Sequence, residues 1–239
     1  MVDSLSALSL IEGRPTAALC DLGHSYRPAG VPDRFPIAVL VSGAGTNLQA
    51  LLDSHADVVA VASSVAGAPA LARAQARGIP TETFARSAFP DRGARDDALA
   101  EWLTEHGPRL VVLAGYMELL GASFLARFPG AVINVHPSLL PAFPGLGAVE
   151  QALAYGVKVF GVTVHFVDEG VDSGPVILQG AVELPDARAP EEVLAALRPL
   201  EHSLLPRAVA MIARGELAPD PQNPRRMLAA RPPGSAGEG

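Results

Sequence analysis

The sequence predicts an α/β fold: a doubly wound, mostly parallel open sheet, with an antiparallel edge hairpin and a C-terminal helix. Three observations predict it. Short continuous apolar runs recur at 35–42, 109–114 and 131–135, as strands buried on both faces require. Segments of helical spacing separate them, which implies parallel βαβ units with right-handed crossovers. From about residue 159 the pattern changes to two β-rich stretches around a short acidic turn.

Residues 1–35 carry Gly13, Pro15, Gly30 and Pro32 without sustained periodicity and read as a loosely structured extension. A strand is expected over Phe35–Ser42, then a Gly-rich turn and a helix over Asn47–Asp53. Val58–Ser63 reads as a strand, Ala68–Arg77 as a helix and Thr81–Phe84 as a short strand. Asp91–His106 reads as an amphipathic helix, and strands follow at Arg109–Ala114 and Ala131–Val135. Val159–Val167 and Pro175–Val182 are expected to pair as a hairpin at the sheet's edge. Pro190–Arg214 reads as a long helix that Pro199 and Pro206 should bend or break. The domain is thus placed at 36–218, with 219–239 a mobile tail rich in Pro, Gly and Arg.

Composition narrows the function. The 239 residues are 49% hydrophobic and 18% charged, enough for a sizeable core. The formal net charge of −7 argues against a dedicated nucleic-acid binder. One cysteine, Cys20, excludes an internal disulfide or a cysteine-cluster metal site. No apolar run approaches the roughly 20 residues of a membrane helix, and no secretion signal is visible at the start. A cytoplasmic protein is expected.

Three constellations carry chemistry. Ser42-Gly-Ala-Gly-Thr-Asn47 lies between strand and helix, where glycines admit a ligand and helix N–H groups attract anions. It is neither a Walker loop nor a complete dinucleotide fingerprint, since no lysine follows and Leu48 takes the third glycine's place. It reads either as a phosphate-binding loop or as a tight turn capped by Thr46 or Asn47. Asn134-Val-His-Pro-Ser-Leu-Leu-Pro141 ends a buried strand, and strand alternation sends Asn134 and His136 to one side. Ligands of open α/β sheets bind at such carboxyl ends. An imidazole there can act as acid or cation, and an amide beside it can donate to an oxyanion. Leu140-Pro141 is a candidate cis bond. The third is Val167-Asp-Glu-Gly-Val-Asp-Ser-Gly174, an acidic turn whose Asp172 would fold back onto His136 and hold it charged. His165 reads as a core histidine.

Ser42–Asn47, Leu113-Ala-Gly-Tyr-Met117, Asn134–Gly145 and Val164–Gln179 together resemble phosphoribosylglycinamide formyltransferase, of the folate-dependent formyltransferase superfamily. The resemblance runs in order from about Ile37 to Ala218. It implies a Rossmann-like formyltransferase fold and transfer of a formyl group from 10-formyltetrahydrofolate to the primary amine of glycinamide ribonucleotide, in purine biosynthesis. It assigns catalysis to Asn134, His136 and Asp172, and ribonucleotide binding to Gly45, Thr46, Asn47 and Glu201. It assigns folate binding to Arg92, Met117, Leu120, Val167 and Glu169, with no metal. The partners it implies are small molecules, with no nucleic acid or membrane, and a homodimer is a candidate assembly. Two positions depart from the pattern. Relatives often carry Arg where this chain has Glu118, which puts a reversed charge at the folate pocket's rim. They often carry His where it has Gly147. Three other readings stand beside that resemblance: a formyltetrahydrofolate hydrolase of the same fold, a methionyl-tRNA formyltransferase, which needs an extra RNA-binding domain and a basic surface, and a non-catalytic folate or nucleotide sensor.

Overall fold

The computed structural model describes residues 34–229; the expected N-terminal extension therefore lies almost wholly outside the described residues. The strands are β1 (Ile37–Val41), β2 (Val58–Ser63), β3 (Thr81–Thr83), β4 (Leu110–Leu113), β5 (Val132–His136), β6 (Val159–Phe166), β7 (Val176–Glu183), β8 (Leu217–Asp220) and β9 (Asn223–Ala229). The helices are α1 (Thr46–Asp53), α2 (Pro69–Gln75), α3 (Arg92–Glu105), α4 (Ala122–Arg127), α5 (Ala148–Tyr155) and α6 (Pro190–Ala213). They form a sheet of order β3-β2-β1-β4-β5-β6-β7-β9-β8. β1 pairs in parallel with both β2 and β4, so the strand order reverses there. β5 adds in parallel, whereas β6 and β7 are antiparallel.

Alternation along the apolar runs supplies both cores. Ile37, Val39 and Val41 of β1 face one cluster with Leu48 and Leu51 of α1, Ala70 of α2, and Leu197 and Leu205 of α6. Ala38 and Leu40 face the other, with Leu99 and Leu103 of α3 and Phe124 of α4. Every residue of β1 is buried, which explains its unbroken hydrophobicity.

Three features depart from the sequence reading. α4 and α5, of six and eight residues, stand where no helix is expected. Pro199 and Pro206 sit inside α6 without interrupting it. The helix is held along its length by burial of Val193, Leu197, Leu204, Leu205, Ala208 and Val209. The tail expected to be mobile from residue 219 instead forms the β8–β9 hairpin as far as Ala229. Asp220 and Asn223 organise its turn by accepting from the Gln222 and Arg225 amides. The β6–β7 hairpin is antiparallel as expected, but β9 continues the sheet beyond it through Val176 and Arg226.

Candidate active site

The carboxyl ends of β1, β4 and β5 meet where the strand order reverses, the usual ligand crevice of an open α/β sheet. On β5, Val132 belongs to the α3–α4 face of the sheet. Asn134 and His136 share its side by alternation but lie further along the strand. The loop 137–147 is pinned to β6 there. Leu140 N donates to Thr163 Oγ1 (3.1 Å), which donates to Ser138 O (2.7 Å). Gly161 leaves room for Leu139; any Cβ at that position would strike it. The Leu140-Pro141 bond is cis.

Asp172 stands at the centre of this end. Its Oδ2 accepts from the Gly145 amide at 2.7 Å and lies 3.3 Å from His136 Nδ1. Its Oδ1 accepts from Asn134 Nδ2 at 3.3 Å and lies 3.5 Å from His165 Nε2. Burial works to raise the carboxyl's pKa. The His165 hydrogen bond, the Gly145 amide and the charges of His136 and His165 outweigh it and hold the group at about 2. Asp172 sits at φ 49°, in the left-handed region that Asp tolerates better than most residues. The second nitrogen of His136, Nε2, faces the Phe143 carbonyl at 2.9 Å. A ring protonated on both nitrogens would satisfy both acceptors.

His165 is buried, as the sequence reading has it, but its neighbours are polar. Nδ1 faces the Phe166 carbonyl at 2.8 Å, and Nε2 faces Asp172 and Asn134. The pairing of β5 with β6 sets His165 directly opposite Asn134, and a register shift falls between Val164 and His165. The available signal was its parity with Thr163 on β6, combined with that cross-strand register.

At the end of β1, the turn is shaped by α2. Gly45 has φ +73°, and a Cβ there would stand 2.6 Å from that of Ala70. Arg73 Nε donates to the Ala44 carbonyl at 2.9 Å. α1 starts without a side-chain cap, so neither Thr46 nor Asn47 serves as the cap that one reading of the turn expected. Asn47 instead donates from Nδ2 to Glu201 Oε2 of α6, 3.0 Å away and 154 positions on. Asn47 Oδ1 and His202 Nε2 are buried and find no partner among the described residues. Thr46, Gln49, Asp53, Arg73 and His202 line a cleft beside this turn.

The end of β4 forms the third wall. Ser42 Oγ accepts from the Met117 amide at 2.9 Å, tying this loop to β1. Met117 and Leu119 project into solvent, 64% and 60% exposed, and Leu120 is half-buried. Arg92 begins α3 beside Gly121. Val167 N donates to the Val132 carbonyl at 2.9 Å, leading into the turn that carries exposed Glu169. Glu118 is not a free rim charge: its Oε2 accepts from Arg95 Nη1 at 2.7 Å. Sequence reading passed over Arg95, although Arg95, Leu99 and Leu103 recur every fourth residue along the buried side of α3. Tyr116 is buried nearby. Burial pushes its hydroxyl up to about 12; Arg95 works against this, and Asp96 and Glu118 add to it. Gly147 caps α5 at φ 70°, a geometry suited to glycine. Among the described residues no group of three or more His, Cys, Asp or Glu is arranged to hold a metal, and no helix is long and apolar enough to cross a membrane.

The family model for formyl transferases matches residues 35–209. The phosphoribosylglycinamide formyltransferase of Bacillus subtilis is 39% identical over 191 residues, covering 76% of this chain and 98% of that protein. The trifunctional purine biosynthetic protein adenosine-3 of Drosophila melanogaster is 41% identical over 194 residues; the match covers 78% of this chain but only 14% of that protein. Among solved structures, glycinamide ribonucleotide transformylase 1 from Symbiobacterium toebii matches with a TM-score of 0.79 and 44% identity, over 83% of this chain and 95% of that one. A formyltetrahydrofolate deformylase from Pseudomonas syringae pv. tomato matches with a TM-score of 0.75 at 24% identity, over 83% of this chain and 66% of that one, a likeness of fold alone.

Proposed function

The chain belongs to the formyl transferase family, among its phosphoribosylglycinamide formyltransferases, and from that premise we propose the reaction and the residues that carry it. The enzyme moves the formyl group of 10-formyltetrahydrofolate to the primary amine of glycinamide ribonucleotide. The single observation that carries the reading is the convergence of Asn134, His136 and Asp172 at the carboxyl end of β5.

The amine nitrogen attacks the formyl carbon and a tetrahedral intermediate forms, its oxygen negative. The Asn134 amide and a protonated His136 stabilise that oxygen, and one such donor is worth about 3–4 kcal/mol of barrier. The formyl oxygen would compete with the Phe143 carbonyl for His136 Nε2. Asp172, ionised throughout the physiological range, holds both groups in place and orients the proton leaving the amine. The bond to N10 breaks as N10 takes up a proton, which leaves formylated ribonucleotide and tetrahydrofolate.

The ribonucleotide's phosphate belongs at Gly45, Thr46 and Asn47. There the N-terminus of α1 and the Arg73 guanidinium offer donors and positive charge to an anion. Glu201, already joined to Asn47, meets the glycinamide end. The folate lies against Arg92, Met117, Leu120, Val167 and Glu169. Both ligands are small anions, no nucleic acid is involved, and the reaction is cytoplasmic.

The test mixes protein and 10-formyltetrahydrofolate with and without glycinamide ribonucleotide. Deformylation that depends on the amine is expected. Equal rates in its absence would make the enzyme a hydrolase, and folate binding without turnover would make it a sensor.

A further inference from the structure

We propose that Arg95 is a positioning residue for the folate side of the site: with Asp96 and Glu118 it forms an internal ionic clamp that sets the shape of loop 115–121. This rests on the reading above that the folate lies against this loop.

Arg95 is 1% exposed, yet every bond it makes reaches a carboxylate or a loop carbonyl. Nη1 donates to Glu118 Oε2 (2.7 Å), and Nη2 donates to the Leu119 carbonyl (2.8 Å) and to Asp96 Oδ1 (2.7 Å). Nε also donates to Asp96 Oδ1 (3.1 Å). The other Asp96 oxygen accepts from the Gly121 amide at 2.7 Å. Two adjacent residues of α3 thus hold Glu118, Leu119 and Gly121, three positions within four. A buried guanidinium is tolerated only when its charge and its N–H groups are matched, and two carboxylates and a carbonyl match it here.

The clamp also decides what the loop presents. Glu118 turns inward to Arg95, while its neighbours Met117 and Leu119 turn outward as large exposed apolar side chains. An unpaired Glu118 would place a free carboxylate between them. Drawn onto Arg95, the carboxylate leaves Met117 and Leu119 as the loop's exposed edge, suited to the flat aromatic body of a folate. The effect of replacing Glu118 therefore has the opposite sign from that of a rim charge. A rim glutamate would repel an anionic folate tail, so Glu118→Arg would improve use of polyglutamates at low salt. Within the clamp, Glu118→Arg sets two guanidiniums together and displaces the loop.

Steady-state kinetics of wild type, Glu118→Gln and Glu118→Arg, with mono- and polyglutamyl 10-formyltetrahydrofolate, separate the two. Glu118→Arg should raise KM for both folates about 10-fold or more, alike at low and high salt, with kcat and ribonucleotide KM within about 3-fold. Glu118→Gln should fall between. Unchanged folate KM, or a salt-sensitive gain confined to the polyglutamate, would overturn the clamp. Hydrogen exchange gives a readout that needs no substrate. The Gly121 amide should exchange about 10-fold faster or more in Glu118→Arg than in wild type. If wild type shows no formyl transfer, the functional reading fails by itself. Unchanged Gly121 exchange would still overturn the clamp.

Discussion

Asp172 has four polar neighbours around two oxygens: the Asn134 amide and the Gly145 main chain donate to it, and the ring nitrogens of His136 and His165 lie 3.3 and 3.5 Å away. Asp172→Asn keeps the size and loses the charge, and its NH2 must replace an oxygen that accepts from either Gly145 N or Asn134 Nδ2. We expect kcat to fall by at least about 10²-fold with ribonucleotide KM nearly unchanged. Turnover per correctly folded molecule close to wild type would reduce Asp172 to a turn residue. The carboxylate also carries a pH signature. Its folded pKa of about 2 lies below the ordinary 3.8, so its contribution to stability is full above about pH 4 and is lost as pH falls through 2. The wild-type advantage over Asp172→Asn in denaturant unfolding should therefore shrink by about 1–2 kcal/mol between pH 6 and pH 2, allowing for solvent screening. At the acceptor end, Asn47→Ala should raise ribonucleotide KM more than it lowers kcat, because the phosphate is remote from the reacting carbon. A pure kcat loss would move Asn47 out of the phosphate site. Legibility at this scale followed sequence distance. Asn134 and His136 could be paired from strand alternation alone, whereas Asp172, one of three carboxylates in an acidic turn, needed the resemblance to be singled out. Glu201 needed the family resemblance, since nothing local in α6 announces a partner 154 positions earlier. Arg95 and His165 escaped because their roles depend on what the opposite element brings: loop 115–121 for one, Asn134 across the β5–β6 register for the other.

Among the elements, α2 is small but shapes the turn after β1. It carries Ala70 against Gly45 and Arg73 under the Ala44 carbonyl, and the Ala70 amide donates to the Gly43 carbonyl at 3.2 Å. Gly45→Ala meets both a left-handed φ and a collision with Ala70. We expect a loss of about 1–3 kcal/mol in stability and a rise in ribonucleotide KM that exceeds any change in folate KM. If thermal melting and both KM values are unaffected, the packing of α2 on the turn is not what forms it. The long, two-sided strands were readable because burial on both faces leaves an unbroken apolar run, as in β1 and β4. α4 and α5 were not expected, and β8–β9 hid within a composition of Pro, Arg and Asn that resembles a tail. The prolines of α6 misled for a related reason: local propensity counts the lost hydrogen bonds but not the six buried side chains that hold the helix to the sheet.

For the molecule as a whole, the proposed ribonucleotide site would join α1 to α6, the first and last helices among the described residues. Bound to Asn47 on α1 and Glu201 on α6, the ribonucleotide should stabilise the native state by about 2.7 kcal/mol at 100 times its Kd. For a domain of this size that is a rise in Tm of about 5–10 °C. Glu201→Ala should lose most of this shift while keeping the shift caused by folate. A full ribonucleotide shift in that variant would exclude Glu201 from the site. The same geometry has a consequence for the chain as it is made. On the proposed reading the folate side draws on residues 92–121 and 134–172, and the acceptor side on α1 and on α6 at 190–213. But α6 also supplies Leu197 and Leu205 to the core that β1 and β5 share, so neither side is assembled before it, and at about 5–20 residues per second its 24 residues take one to several seconds to add. Either ligand can therefore steady the enzyme only once nearly the whole domain has been made.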